Sequence, residues 1–237
     1  MQLKHLFLLL TLLPSVVFSQ APFFKTYSDS VNLVNDGRSI VSDFMKMVKN
    51  TDSSIVVKPS AILNTTPYLI YWDDSLQTAN LPIWSQVIEP QKEFFYSLNG
   101  GSKEDGVKMF GLFFNGFYLP HELAHCVEWN LFKKGHRKND GLYRSEYFAN
   151  TMAIIYWRLK GRQNDLAACY AFARKVLAQL PNPVPKGVNV EEYFNTNYQA
   201  LSSDPYKYGF FQFNQFVEIY EKKELPSFSE ALKAIVK

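Results

Sequence analysis

Cysteine and histidine are both scarce in this chain, at two and four residues. The two cysteines, Cys126 and Cys169, leave room for a single disulfide if they meet in an oxidising compartment. The alternative is two buried thiols that behave as small apolar side chains. Charge of one sign is also in short supply, since 25 Lys and Arg stand against 22 Asp and Glu for a formal net charge of +3. That balance points neither to nucleic acid nor to an anionic membrane surface. Long apolar runs are missing after residue 18, and a bilayer core of about 30 Å needs roughly 20 consecutive apolar residues. The sequence therefore predicts no membrane span. Internal repeats and disorder-prone composition are absent too.

The one apolar run, Leu6 to Phe18, follows Lys4 and His5, and Ser19, Gln20 and Ala21 come after it. A basic start, a short apolar stretch and a small-residue exit are the parts of a secretory signal peptide. The expected signal is residues 1–19, cleaved after Ser19 or after Ala21. No cysteine stands at the exit, which argues against a lipid-anchored bacterial lipoprotein. Removing the signal takes away one lysine and leaves a charge of +2. Residues 20–237 are then expected to form one exported domain, secreted or periplasmic. Hydrophobic residues make up 47% of the chain, ample for a core. The 20 Phe, 14 Tyr and 4 Trp are scattered throughout, which suits core and cleft packing rather than base stacking. Asn64-Thr65-Thr66 is a glycosylation sequon, relevant only in a eukaryotic host.

Periodicity predicts a helix over 29–49, strands over 54–58 and 67–72, and a segment over 83–98 divided at Pro90 into strand-like and helical halves. A loop follows at 99–102 and a further strand is expected over 107–114. From there the pattern turns helical: 119–134, 142–160, 165–180, 190–202, 206–222 and 227–236. Pro120 and Gly135 bracket the first of these. The outline is α+β, with a small N-terminal sheet and a helical C-terminal half.

That first helix carries His121-Glu122-Leu123-Ala124-His125. Residues four apart share a helix face, so His121 and His125 can offer both imidazoles to one ion. Glu122 lies about 100° around the helix, beside the ion rather than on it. This is the His-Glu-x-x-His arrangement of zinc peptidases. Without the signal, His121, His125 and His136 are the only histidines left, all within 16 residues. Cys126 points about 100° away from His125, which favours a structural role.

A catalytic zinc takes three protein ligands and keeps one position for water. The pattern with a third histidine on the same segment requires Gly at 128 and His at 131, but Glu128 and Leu131 stand there. Glu128, His136, Asp140 and Glu146 are the candidates for the third ligand. Glu128 shares the histidine face, yet one straight helix rarely wraps three ligands around an ion. His136 and Asp140 lie in the connecting loop. Glu146 is favoured, early in the next helix, with Asn150 four residues on to hydrogen-bond a ligating imidazole. Seven loop residues extend over about 23–25 Å, enough to bring that helix back to the motif.

His121-Glu122-x-x-His125 followed by Glu146-x-x-Ala149-Asn150 resembles the gluzincin branch of the zincin metallopeptidases over positions 121–150. Asn150 stands where that branch more often has aspartate. The resemblance implies a zincin-like fold with the motif helix at a cleft, and an edge strand that pairs with extended peptide. Residues 107–114 or 67–72 are expected to supply that edge. It implies Zn2+ held by His121, His125 and Glu146, a peptide or protein substrate, and Glu122 as general base and acid. An oxyanion donor is also expected. Tyr193, Tyr198, Tyr206, Tyr208 and His136 are the candidates, and Tyr208, beside Gly209, is taken forward; ordinary packing is the alternative for each tyrosine. The stripe of Phe210, Phe213, Val217 and Tyr220 reads as a helix core face. The competing functional expectation is a catalytically inactive zincin-like domain that binds peptide in its cleft.

Overall fold

The computed structural model describes residues 23–135 and 141–236. The expected signal peptide, together with His136 and Asp140, lies outside the described residues.

Helix α1, Ser30–Thr51, starts where the Asp29 carboxylate accepts hydrogen bonds from the Val31 and Asn32 amides. It buries Leu33, Gly37, Val41, Phe44 and Val48 along one face. Gly37 faces the sheet, where a Cβ would lie 2.5 Å from Leu81 Cδ1 and 3.1 Å from Ala61 Cβ. The sheet has three strands, β1 Ser60–Leu63, β2 Tyr71–Asp73 and β3 Thr78–Leu81. Their order is β1-β3-β2, with β1 parallel and β2 antiparallel to the fully buried β3. Trp72 pairs with Ala79, and β2 forms an edge.

Three sequence expectations need correction here. The strand expected over 54–58 is absent, and β1 begins at Ser60. Most of 67–72 is a bend that feeds a strand of only three residues. β3 was not expected: Thr-Ala-Asn-Leu offers little β-branched or aromatic content, and its two neighbouring strands supply the reason for its extension. The sequon is internally committed. Asn64 is buried, and its Nδ2 donates to the carbonyls of Tyr68 at 2.5 Å and Leu69 at 2.8 Å. The nitrogen that would carry a glycan is thus tied into the bend.

A 3₁₀ turn at Trp84–Gln86 precedes helix α2, Glu89–Ser97, whose first turn holds Pro90. The expected strand over 107–114 is instead helical. Ser102 caps helix α3, Lys103–Leu112, accepting from the Asp105 amide, and Glu104 and Asp105 favour its positive end. Met109, Phe110 and Leu112 are all buried, so the run carries no face-to-face contrast to separate helix from strand.

A five-residue π turn, Phe113–Phe117, joins α3 to the motif helix α4, Tyr118–Lys133. Asn115 leaves helical geometry there, at φ −107° and ψ 20°. Its Nδ2 donates to Pro82 carbonyl at 2.7 Å, and its carbonyl accepts from the Phe24 amide at 3.0 Å.

Helix α5, Leu142–Leu159, packs along α4. Helices α6 Gln163–Leu177, α7 Val190–Ser202, α8 Pro205–Tyr220 and α9 Phe228–Ala234 complete a mixed α+β architecture that is mostly helical. One large core joins α1, the sheet, α2 to α6, α8 and α9, and a smaller one gathers around Phe194, Leu201 and Phe211. Phe213 and Val217 are buried in the large core, with Phe210 and Tyr220 packed against it. Among the described residues no helix is long and apolar enough to cross a membrane.

Candidate metal centre

Helices α4 and α5 bring His121, His125 and Glu146 to one point. His121 Nε2 lies 3.1 Å from His125 Nε2, and Glu146 Oε2 lies 3.3 Å from the first and 3.5 Å from the second. His121 and Glu146 are buried, while His125 is partly open to the cleft.

Hydrogen bonds on the far side of each ring fix what the near side can do. Asn150 sends its amide nitrogen to Gln212 Oε1 at 3.4 Å and Gln215 Oε1 at 3.1 Å. Its oxygen is therefore left to accept from His121 Nδ1 at 3.0 Å. His125 Nδ1 donates to Glu128 Oε2 at 3.3 Å, and the same carboxylate accepts from the Ser145 hydroxyl. Both Nε2 atoms then present lone pairs to each other and to a carboxylate oxygen. Three acceptors at this spacing repel unless a cation lies among them. A proton can bridge two of the three; a tetrahedral ion satisfies all three at once. With ligand bonds of about 2.0–2.1 Å, a tetrahedral ion holds its ligand atoms about 3.3–3.4 Å apart, and the three observed separations straddle that value. The buried group His121, His125 and Glu146 is fit to bind a metal ion.

Electrostatics show where a proton goes when no ion occupies this triangle. Burial opposes ionisation of Glu146, yet the two imidazoles outweigh it and hold the carboxyl well below the usual range. Burial likewise opposes charge on His125, but the carboxylates of Glu146 and Glu128 raise it well above an ordinary imidazole. Glu122 goes the other way. Burial lifts its pKa, against the pull of both histidines and a hydrogen bond from the Trp72 backbone. A carboxyl biased toward accepting a proton therefore stands beside the histidine pair.

These groups open into a cleft of about 710 Å³. Residues 68–72, leading into edge strand β2, form one wall; Phe94 and Phe95 of α2, Phe114 of the π turn and Tyr118 of α4 add an aromatic end. Tyr198 of α7 and Tyr208, Gly209, Gln212 and Phe213 of α8 close the other side. Of the two candidate edges, 107–114 is excluded by its helical conformation, and 67–72 borders the cleft.

The expected residues sort clearly. His121, Glu122, His125, Glu146 and Asn150 come together, and Glu128 touches His125 from behind. Among the tyrosines, Tyr208 and Tyr198 line the cleft, and the Tyr208 hydroxyl donates to Glu146 Oε1 at 3.0 Å. Tyr206 sits at the rim, 3.0 Å from Ser97 Oγ, and Tyr193 stacks on Phe211 in the smaller core. Cys126 and Cys169 are buried free thiols and form no disulfide. The sequence reading missed Ser145, Gln212 and Gln215. Ser145 gave no signal of its own, and that of Gln212 and Gln215 was their i+4 and i+7 spacing from Tyr208 on one face of α8. Set against known protein families, curated proteins and solved structures, the chain matches none.

Proposed function

We propose that this chain is an exported zinc-dependent peptidase of gluzincin type, with zinc held by His121, His125 and Glu146 and with Glu122 as general base and acid. The observation that carries this reading is the triangle of lone pairs at 3.1, 3.3 and 3.5 Å, flanked by a carboxyl of raised pKa. A bound zinc supplies Lewis acidity, lowering the pKa of a coordinated water to about 7 and polarising a carbonyl.

The chain's own residues supply the rest. Glu122, biased toward protonation, takes the proton from the attacking water and hands it to the leaving amine. An edge strand beside the motif helix leaves backbone groups for an extended peptide. The aromatic end of the cleft suits apolar side chains on that peptide.

Metal analysis of purified protein tests the first half. One zinc per chain, lost in His121→Ala, is expected. The same donor set serves iron(II) in other sites, so stoichiometric iron in place of zinc, or no metal at all, overturns the assignment. Incubation with a mixed peptide library tests the second half. Wild type should cleave, and Glu122→Ala should keep its zinc and cleave nothing. A zinc-loaded wild type that leaves the library intact would instead support a peptide-binding domain.

A further inference from the structure

Helix α8 contributes nothing to the histidine motif, yet three of its side chains at positions 208, 212 and 215 reach the centre. That spacing places them on one helix face. Tyr208 donates to Glu146 Oε1 at 3.0 Å, and Gln212 Nε2 donates to Glu146 Oε2 at 2.8 Å. Gln212 and Gln215 accept from Asn150 at 3.4 and 3.1 Å, and Gln215 Nε2 closes the network on the Tyr143 carbonyl at 3.1 Å. Gln212 and Gln215 are both buried, Gln215 almost completely, so these amides are held mainly by protein partners.

A carboxylate has two oxygens and can grip an ion with one or both. Here the two are treated differently. Oε2 faces both imidazoles, and Oε1 is tied to a phenol that lines the cleft. Binding through both oxygens would add a fifth ligand to the four that a catalytic site holds, three from the protein and one water.

We propose that α8 sets the coordination number of the metal centre, with Tyr208 holding Glu146 to one oxygen and Gln212 and Gln215 fixing Glu146 and Asn150 in orientation. This rests on the metal reading above and gives Tyr208 the part of a positioning residue instead of an oxyanion donor. The partners are neutral for a physical reason. A further carboxylate beside Glu146 would add like-charge repulsion in a buried site, whereas a phenol and two amides supply donors without charge.

Cobalt(II) substitution reads coordination number directly, because four-coordinate cobalt absorbs visible light more strongly than five-coordinate cobalt. Wild type, Tyr208→Phe and Gln212→Met would be titrated with cobalt(II) chloride against a competing chelator, with circular dichroism as the folding control. Wild type should bind one ion with an intense four-coordinate spectrum. Tyr208→Phe should still bind one ion, with absorbance reduced severalfold as Oε1 joins the ion. Gln212→Met should bind about 10–100-fold more weakly. Tyr208→Phe keeps its ring beside Phe194 and Tyr198, so that arm decides the matter alone if Gln212→Met does not fold.

An unchanged spectrum in Tyr208→Phe, above all if peptide cleavage collapses, overturns the positioning role and returns Tyr208 to the reaction itself. A wild type that binds no ion overturns the metal reading and this proposal together. One-ion binding with both variants unchanged overturns only the role given to α8.

Discussion

His121 and His125 are held by partners of unlike charge, and the difference matters for each imidazole. His121 donates to a neutral amide and His125 to a carboxylate. A carboxylate raises the basicity of the ring it touches, so without metal the extra proton of the centre belongs on His125, against Glu146. The sign of the pH dependence follows. For His125, whose pKa is raised, the stabilisation of the metal-free fold is complete below about pH 6.5 and is lost as pH rises through the folded value. For Glu146, whose pKa is depressed, it is complete above about pH 4.3 and is lost as pH falls through the folded value. The pair therefore stabilises the metal-free protein most between those limits. On the proposed reading a zinc ion would have to displace the His125 proton, so binding at pH 7 should release about one proton per ion. Calorimetry in buffers of different ionisation enthalpy measures this, and release near zero would remove His125 from the ligand set. Asn150→Ala takes the acceptor from His121 and should weaken zinc binding about 10–100-fold in a chelator competition.

Elements differ sharply in how much of them could be read from the sequence. α1 and the helices after residue 118 announce themselves through caps, spacing and flanking breakers. The spacing of His121 and His125 likewise reports their shared face, because four residues along one helix is a local fact. The sheet was poorly legible: β2 has three residues and β3 has Thr78 as its one β-branched side chain, so tertiary pairing defines them. α3 was misread because its last four residues, Met109 to Leu112, are buried in succession and show no helical contrast. The α8 network lies more than 60 positions from Glu146 and Asn150, and no local period connects residues that far apart. Gly37 is a place where two elements depend on one missing methyl group. Gly37→Val would drive Cβ into Leu81 and Ala61, which should cost about 1–3 kcal/mol. A lower urea midpoint at unchanged slope would show it, and an unchanged midpoint would mean that α1 and the sheet pack less tightly than described.

At the scale of the whole molecule, an ion in the proposed metal centre would also be a fastener. The candidate ligands sit on α4 and α5, and their supporting hydrogen bonds come from α8, so one bound ion would link three helices that belong to the main core. An ion bound only by the folded chain adds stability as RT ln(1 + [L]/Kd), about 2.7 kcal/mol at a hundredfold excess over Kd. Thermal denaturation should therefore shift downward on chelation and recover with added zinc. His121→Ala should melt at the same temperature with or without chelator, and a chelator-sensitive His121→Ala would place the stabilising ion elsewhere.

The π turn at Phe113–Phe117 has a consequence for heredity as much as for shape. Each residue advances an α-helix by about 100°, and a π turn is one residue longer than the turn it replaces. It sets the phase between α3, which is anchored against α2 and α6, and α4, which carries both histidines. Losing a single codon here would leave every residue of the motif intact while rotating the motif away from Glu146. A one-residue deletion within 113–117 should therefore keep helical circular dichroism and lose zinc, whereas one-residue changes in the exposed turn at 186–187 should leave zinc in place. On this reading the site depends on the length of the turn as closely as on the histidines themselves.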